Sequence, residues 1–309
     1  MSLSGGPTGA SALRGPDPHR GGQLTDVLLA PPTSLVSAAD RDAARDRIVT
    51  ALVGSVGGRP EGPERTVGLP VLIQRARDQP VPTDPEESFT WKPAFVRRSL
   101  GLATVEACLE RRFRWPAEAV GPVADRAVAE WQRTGWRTFH WEPWFAALSA
   151  GARAAVLAEA SAWATTLWSA LAWRRFPVPP RLGGSDDQWV CPSDRTVRLR
   201  GRCEVRIPLV GQAAAGHAPP VVGTALVSLM SGHPPAAGGE PELAFLALVS
   251  ALASPTRPVP SRVAGLWLHA GEHRVVEVTG ELLVEAASRV VGAAASLADE
   301  GSGDAVGPA

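Results

Sequence analysis

One short stretch of this chain combines arginines and a single carboxylate at a spacing that chemistry can use. In "VRLRGRCEVRIPL", residues 197–209, Arg198, Arg200, Arg202, Glu204 and Arg206 alternate with Val197, Leu199, Gly201, Cys203, Val205, Ile207 and Leu209. A period of two places the charged set on one side of a β-strand and the apolar set on the other. The guanidinium fork matches phosphate oxygens, so such a row suits a nucleic-acid backbone. The competing reading is a solvated strand face on which Glu204 pairs with its arginine neighbours. Upstream, "WQRTGWRTFHWEPWF" carries Trp131, Trp136, Trp141 and Trp144 within 15 residues. Tryptophans so grouped either stack on unpaired bases or fill a core between helices. His140, beside Trp141 and Glu142, is of the type that serves as a general base, although no nucleophile neighbours it in sequence. Lys92 is the only lysine, so any step needing an ammonium must use it.

These residues need elements to position them. Residues 1–24 are rich in Gly, Pro and Ser and are expected to be disordered. A helix is predicted over 38–56, within an N-terminal extension spanning 25–88 that ends in short apolar pieces between prolines and the acidic "TDPEES". The main domain is expected over 89–298. Its helical part, 89–176, holds predicted helices over 99–113, 116–135 and 151–176. A proline-broken loop, "PVPPRLGGSDDQWVCPSD", then leads to a sheet-containing core over 190–298. That core has strands at 197–209 and "VVGTALVSLM", an apolar helix "ELAFLALVSALA", two strands joined through Gly271, and a helix from about Gly280 to Ala298. The tail 299–309 is expected to be disordered. The order predicts an α/β (α+β mixed) class, with a small mixed central sheet flanked by helices.

Four segments, taken in order, resemble the RecB-type branch of the PD-(D/E)XK nuclease superfamily. Where that branch carries "G-R-x-D" on a strand, this chain has "GRCE" at 201–204. Where a second strand ends in "D-x-K-T-G-r-P", it has "SLMSGHP" at 228–234. The buried helix motif "Q/L-x-x-x-Y-A-L" corresponds to "ELAFLALV" at 242–249, and the hairpin-to-helix motif "V-T-x-x-x-L" to "EVTGELLVEA" at 277–286. The match covers roughly residues 195–298. The resemblance implies a restriction-endonuclease-like core and, in active members, two carboxylates that hold Mg²⁺ beside a lysine that positions the nucleophile. Here the first carboxylate position is Glu204, the second is Ser228, and the lysine is Met230. Methionine keeps a long apolar stem but no ammonium. Glu204 is the only metal candidate in the motif, and Mg²⁺ is expected only if relocated residues, such as His217 and His233, complete a site with it.

Composition narrows the rest. With 31 basic and 31 acidic residues the formal charge is zero, so bulk charge points to no partner. Cys108, Cys191 and Cys203 are widely spaced and form no C-x-x-C pair, which predicts buried thiols in a reducing cytoplasm. Neither G-x-x-x-x-G-K-[ST] nor G-x-G-x-x-G occurs, so no known nucleotide-binding loop is read. The N-terminus has no signal-peptide apolar region, and the longest apolar helical run, 160–173, is too short to span a bilayer. The expectation is a catalytically degenerate nuclease-like protein, with no cofactor, that binds DNA, RNA or a protein partner. An active Mg²⁺-dependent nuclease and a protein-binding adaptor are its alternatives.

Overall fold

The computed structural model describes residues 20–33, 36–55, 65–68, 93–137, 139–193, 195, 197–211, 220–230, 234, 240–254 and 256–303. Lys92, His217, His233, Ser231 and Gly232 lie outside them. The described elements are α1 (Arg20–Leu29), α2 (Ala38–Ser55), β1 (Arg65–Gly68), α3 (Pro93–Leu109), α4 (Pro116–Thr134), α5 (Glu142–Ala147) and α6 (Ala150–Ala170). After a 3₁₀ turn at Trp173–Arg175 come β2 (Arg181–Val190), β3 (Val197–Val210), β4 (Val221–Met230), α7 (Glu240–Ala253), β5 (Pro260–Trp267), β6 (Glu272–Glu277) and α8 (Gly280–Gly303).

Local chemistry sets several of these boundaries. Ser37 and Asp40 form a reciprocal cap at the start of α2: Ser37 N and Oγ donate to Asp40 Oδ2 at 2.8 and 2.7 Å, and Asp40 N donates to Ser37 Oγ at 3.2 Å. Two orphan amides at the helix start are thereby satisfied. Pro116 at the first position opens α4, and Gly135, at φ +72°, closes it by donating its N–H to Trp131 O. That left-handed stop favours glycine.

The sheet is mixed, as the element order predicts. β2, β3 and β4 run as an antiparallel meander, α7 crosses over, β5 lies parallel to β4, and β6 returns antiparallel to β5. β1 pairs in parallel with Val197–Arg200 of β3. β2 occupies the opposite edge over the same residues, so β1 and β4 share one edge of β3 in succession. β2 corrects the expectation of a loop. "RLGGSDDQWV" is poor in strand formers, but it pairs along most of β3, and a register shift between Leu182 and Ser185 absorbs its glycines. Pairing overrides local propensity here.

Helices cover both faces. On one, α2, α7 and α8 enclose Leu199, Cys203, Leu226 and Val263 together with their own Ile48, Phe245 and Val290. On the other, α1, α3 and α6 pack Leu24, Leu102 and Leu167 against Val205, Ile207, Val227 and Leu266. A third cluster, away from the sheet, joins α3, α4, α5 and α6 around Val96, Leu100, Trp141 and Phe145. The two sheet-facing clusters show that β3 changes phase. Its odd residues up to Cys203 face α7, and its odd residues from Val205 onward face α1 and α6. Cys203, Glu204 and Val205 are all buried at the slip.

The N-terminal segment wraps the sheet. α1 lies on one face and α2 on the other, and the connection between them is gripped at the β5–β6 side. Arg262 on β5, itself buried, donates to the carbonyls of Ala30 and Pro31, the latter at 2.9 Å. Thr33 N donates to the Glu277 carboxylate on β6. Two expected boundaries shift accordingly. α1 begins at Arg20, inside the stretch predicted to be disordered, because Leu24 and Leu28 bury fully against the sheet. α8 runs on to Gly303, past the expected start of the tail.

Candidate functional site

The β3–β4 ladder ends at the pair Val205–Val227. Beyond it, one side chain does the work of backbone. The Glu204 carboxylate accepts the Leu229 N–H on Oε2 at 2.8 Å, so an amide past the last ladder pair gains a charged acceptor. Its other oxygen, Oε1, accepts from the Arg98 guanidinium, delivered from α3, and forms an ion pair with Arg202, whose Nε lies 3.2 Å away. Glu204 is 0% exposed, whereas Arg98 and Arg202 keep 29% and 47% of their side chains in solvent. Ser228, also buried, donates its hydroxyl to the Arg202 carbonyl at 3.2 Å. Met230 is half-buried at the end of β4.

This donor set does not fit a divalent cation. Mg²⁺ is held by carboxylates, waters and substrate phosphates, but Glu204 already accepts from the Leu229 amide and the Arg98 guanidinium and is ion-paired with Arg202 as well. The local balance is two guanidinium charges against one carboxylate, which repels a metal ion. Ser228 and Met230 add no negative charge. Among the described residues no three His, Cys, Asp or Glu side chains gather. Among the described residues the site offers guanidinium groups beside a carboxylate that closes the end of the β3–β4 ladder.

The predicted arginine row divides. Arg200 and Arg202 are exposed and Arg198 is half-buried on β3 before the slip. Arg206, after it, points to the α7 face, where it pairs with buried Asp187 and donates to Ser250 Oγ at 3.3 Å. The expectation of one face carrying all four is therefore corrected. Apart from Pro208, every apolar residue of the stretch is odd-numbered, so a period of two cannot show that the strand changes sides at Cys203–Val205.

The aromatic segment mostly serves the core. Trp141 is fully buried, lies 5.6 Å from Phe139 in a stacked pair, meets Phe145 edge-on at 5.5 Å, and donates Nε1–H to Ser99. Trp131 and Trp144 are half-buried, and Trp136 alone of the four stands in solvent, at 73% exposure. His140 is exposed on a left-handed turn at φ +67°, while Glu142 turns inward to accept the Phe139 N–H at 2.8 Å. The two are not arranged as a base and its orienting acid. Cys108, Cys191 and Cys203 are free, buried thiols. Burial pushes the Cys108 thiol up to about 11, with Glu118 adding to it. Burial, then the neighbouring Glu204, raises Cys203 as well.

Arg98 is the functional neighbour that the strand pattern does not announce. It lies four and seven residues before Leu102 and Val105, on the stripe of α3 that faces the sheet. A cation on an apolar stripe requires a buried partner, and that was the available signal. The known protein families include no model that matches this sequence, and no curated protein matches it significantly. No helix among the described residues is long and apolar enough to cross a membrane.

Proposed function

We propose that the chain is a non-catalytic relative of the RecB-type PD-(D/E)XK nucleases that binds nucleic acid without cutting it. The observation that carries this reading is the sealed Glu204. At the position where an active member presents its first metal-binding acid, this carboxylate is closed off by Arg98, Arg202 and the Leu229 amide. The connectivity supports the relationship. A strand with "GRCE", a strand ending at Ser228–Met230, a buried crossover helix, a hairpin and a closing helix follow in the order of the family's motifs. The exposed Arg200 and Arg202 supply phosphate-binding groups on the side of the sheet that faces α3. The three buried free thiols are in keeping with a reducing cytoplasm.

The test is fluorescence anisotropy and gel electrophoresis of labelled single- and double-stranded DNA and RNA, at low salt, with and without Mg²⁺ or Mn²⁺. The expected result is binding without cleavage, with affinity falling as salt rises. R200A, a substitution at an exposed position, should weaken binding to all sequences alike and reduce the salt slope by about 1. Metal-dependent cleavage that disappears in E204A would establish the active-nuclease alternative. Absence of binding to every nucleic acid at low salt would leave the protein-binding adaptor.

A further inference from the structure

The phase slip in β3 has a second effect, on the opposite face of the sheet from Arg200 and Arg202. Where Arg206 turns toward α7, a cavity of about 430 Å³ opens between the start of β2, the start of β4 and the turn after α7. Its volume falls within the range of small-molecule sites. Three guanidinium groups line it: Arg181 on β2, Arg206 on β3 and Arg257 on the turn. Thr224 and Ser250 add hydroxyls, and Pro208 and Pro258 add apolar wall.

Charge in this cavity is unbalanced. Asp187, 7% exposed, is the carboxylate that answers the three arginines: it pairs with Arg206 and lies 3.7 Å from Arg257. Arg181 makes no ion pair with a described residue, and Arg257 keeps 60% of its side chain in solvent. Among the described residues, three cations against one anion leave two positive charges. The C-terminal end of α7 offsets that by only a fraction of a charge. Arg206 is fixed by Asp187 and Ser250 through both terminal nitrogens, so it contributes field from the floor of the cavity. Arg181 and Arg257 remain available to donate.

We propose that this cavity binds a phosphomonoester: a dianionic phosphate held by Arg181 and Arg257 over the fixed Arg206, with its organic group against the proline walls. A dianion matches the two uncompensated charges, and paired forks with neighbouring hydroxyls suit a tetrahedral oxyanion. The site is separate from the nucleic-acid reading and does not depend on it.

The experiment is isothermal titration calorimetry of the full chain with adenosine 5′-monophosphate, inorganic phosphate and adenosine, at low and moderate salt. Saturable binding of the monophosphate is expected, with weaker binding of phosphate and none of adenosine. The double substitution R181A/R257A, at two exposed positions, should weaken the monophosphate at least about tenfold, as loss of charge-assisted hydrogen bonds requires. R181K/R257K should recover part of the affinity. Competition by a 5′-phosphorylated oligonucleotide but not its 5′-hydroxyl form would identify the source as a strand end; competition by neither would identify a free small molecule. Adenosine binding as well as its monophosphate, no binding at all, or an R181A/R257A protein that is folded and unchanged in affinity would overturn the proposal.

Discussion

Replacing Glu204 by glutamine tests the sealed carboxylate directly. The substituted amide would keep an oxygen for the Leu229 N–H but turn an NH₂ donor or a neutral oxygen toward Arg98 and Arg202. Breaking a buried ion pair from one side costs roughly 3–5 kcal/mol because the partner charge stays behind. Arg98 and Arg202 are 29% and 47% exposed and can partly rehydrate, which lowers the expected cost to about 2–3 kcal/mol. A chain of this size unfolds with an entropy on the order of 0.6 kcal/mol/K, so the midpoint should fall by about 3–5 °C. R98M removes the better-buried cation and leaves Glu204 with Arg202. The double variant E204Q/R98M leaves only the half-exposed Arg202 without its carboxylate, and should return to within about 1 kcal/mol of the parent, a coupling of roughly 2 kcal/mol. Thermal and urea unfolding of all four proteins measures the cycle. The same melts in excess Mg²⁺ should show no Glu204-dependent stabilisation, whereas a bound metal would raise the midpoint by mass action. A harmless E204Q with zero coupling, or a Mg²⁺ shift present in the parent and lost in E204Q, would refute the argument that this acid is closed to metal.

Three further outcomes follow from the packing. Gly101 brings α3 against α6 so closely that an added Cβ would lie 2.4 Å from Trp163 Cε3; G101A should lose about 1–2 kcal/mol net of its gain in helix propensity, and W163L should relieve it in urea titrations. A Cβ at Gly280 would lie 2.5 Å from Asp40 Oδ1, so G280A should disturb the same cap that S37A removes, each costing about 1 kcal/mol and the pair less than the sum. Cys108, raised to about 11 in the folded protein from an ordinary 9, keeps its proton where the unfolded chain sheds it. Its stabilisation is complete below pH 9 and declines as pH rises toward 11; unfolding midpoints across that window should fall less steeply in C108S.

Much of the sheet was legible because its strands announce themselves by apolar content: "VVGTALVSLM" and "RVAGLWLHAG" lie where their letters predict. β2 was not, because its glycines and aspartates are turn residues and only its partner strand makes them extended. The frame of Glu204, Ser228 and Met230 came from the resemblance to the nuclease motifs, and the structure brings Glu204 to the end of β4 where Ser228 sits. What spacing could not supply was Arg98, 106 positions earlier in the chain, or the change of face at Cys203–Val205. The arginine cavity was hidden for the same reason. Arg181 came from the unpredicted strand, Arg257 from a turn, and Arg206 from a residue assigned to the wrong side.

The N-terminal clasp has a bearing on the protein's life outside the native state. β6 is the last strand on its side of the sheet, and a bare edge of this kind offers unpaired amides and carbonyls to any passing chain. The connection between α1 and α2 lies against that margin through Thr33 and Glu277, and each helix seals one of the two apolar faces. Loss of both helices to a protease would therefore do more than shorten the chain. It would uncover a strand margin and two greasy surfaces together, and favour self-association.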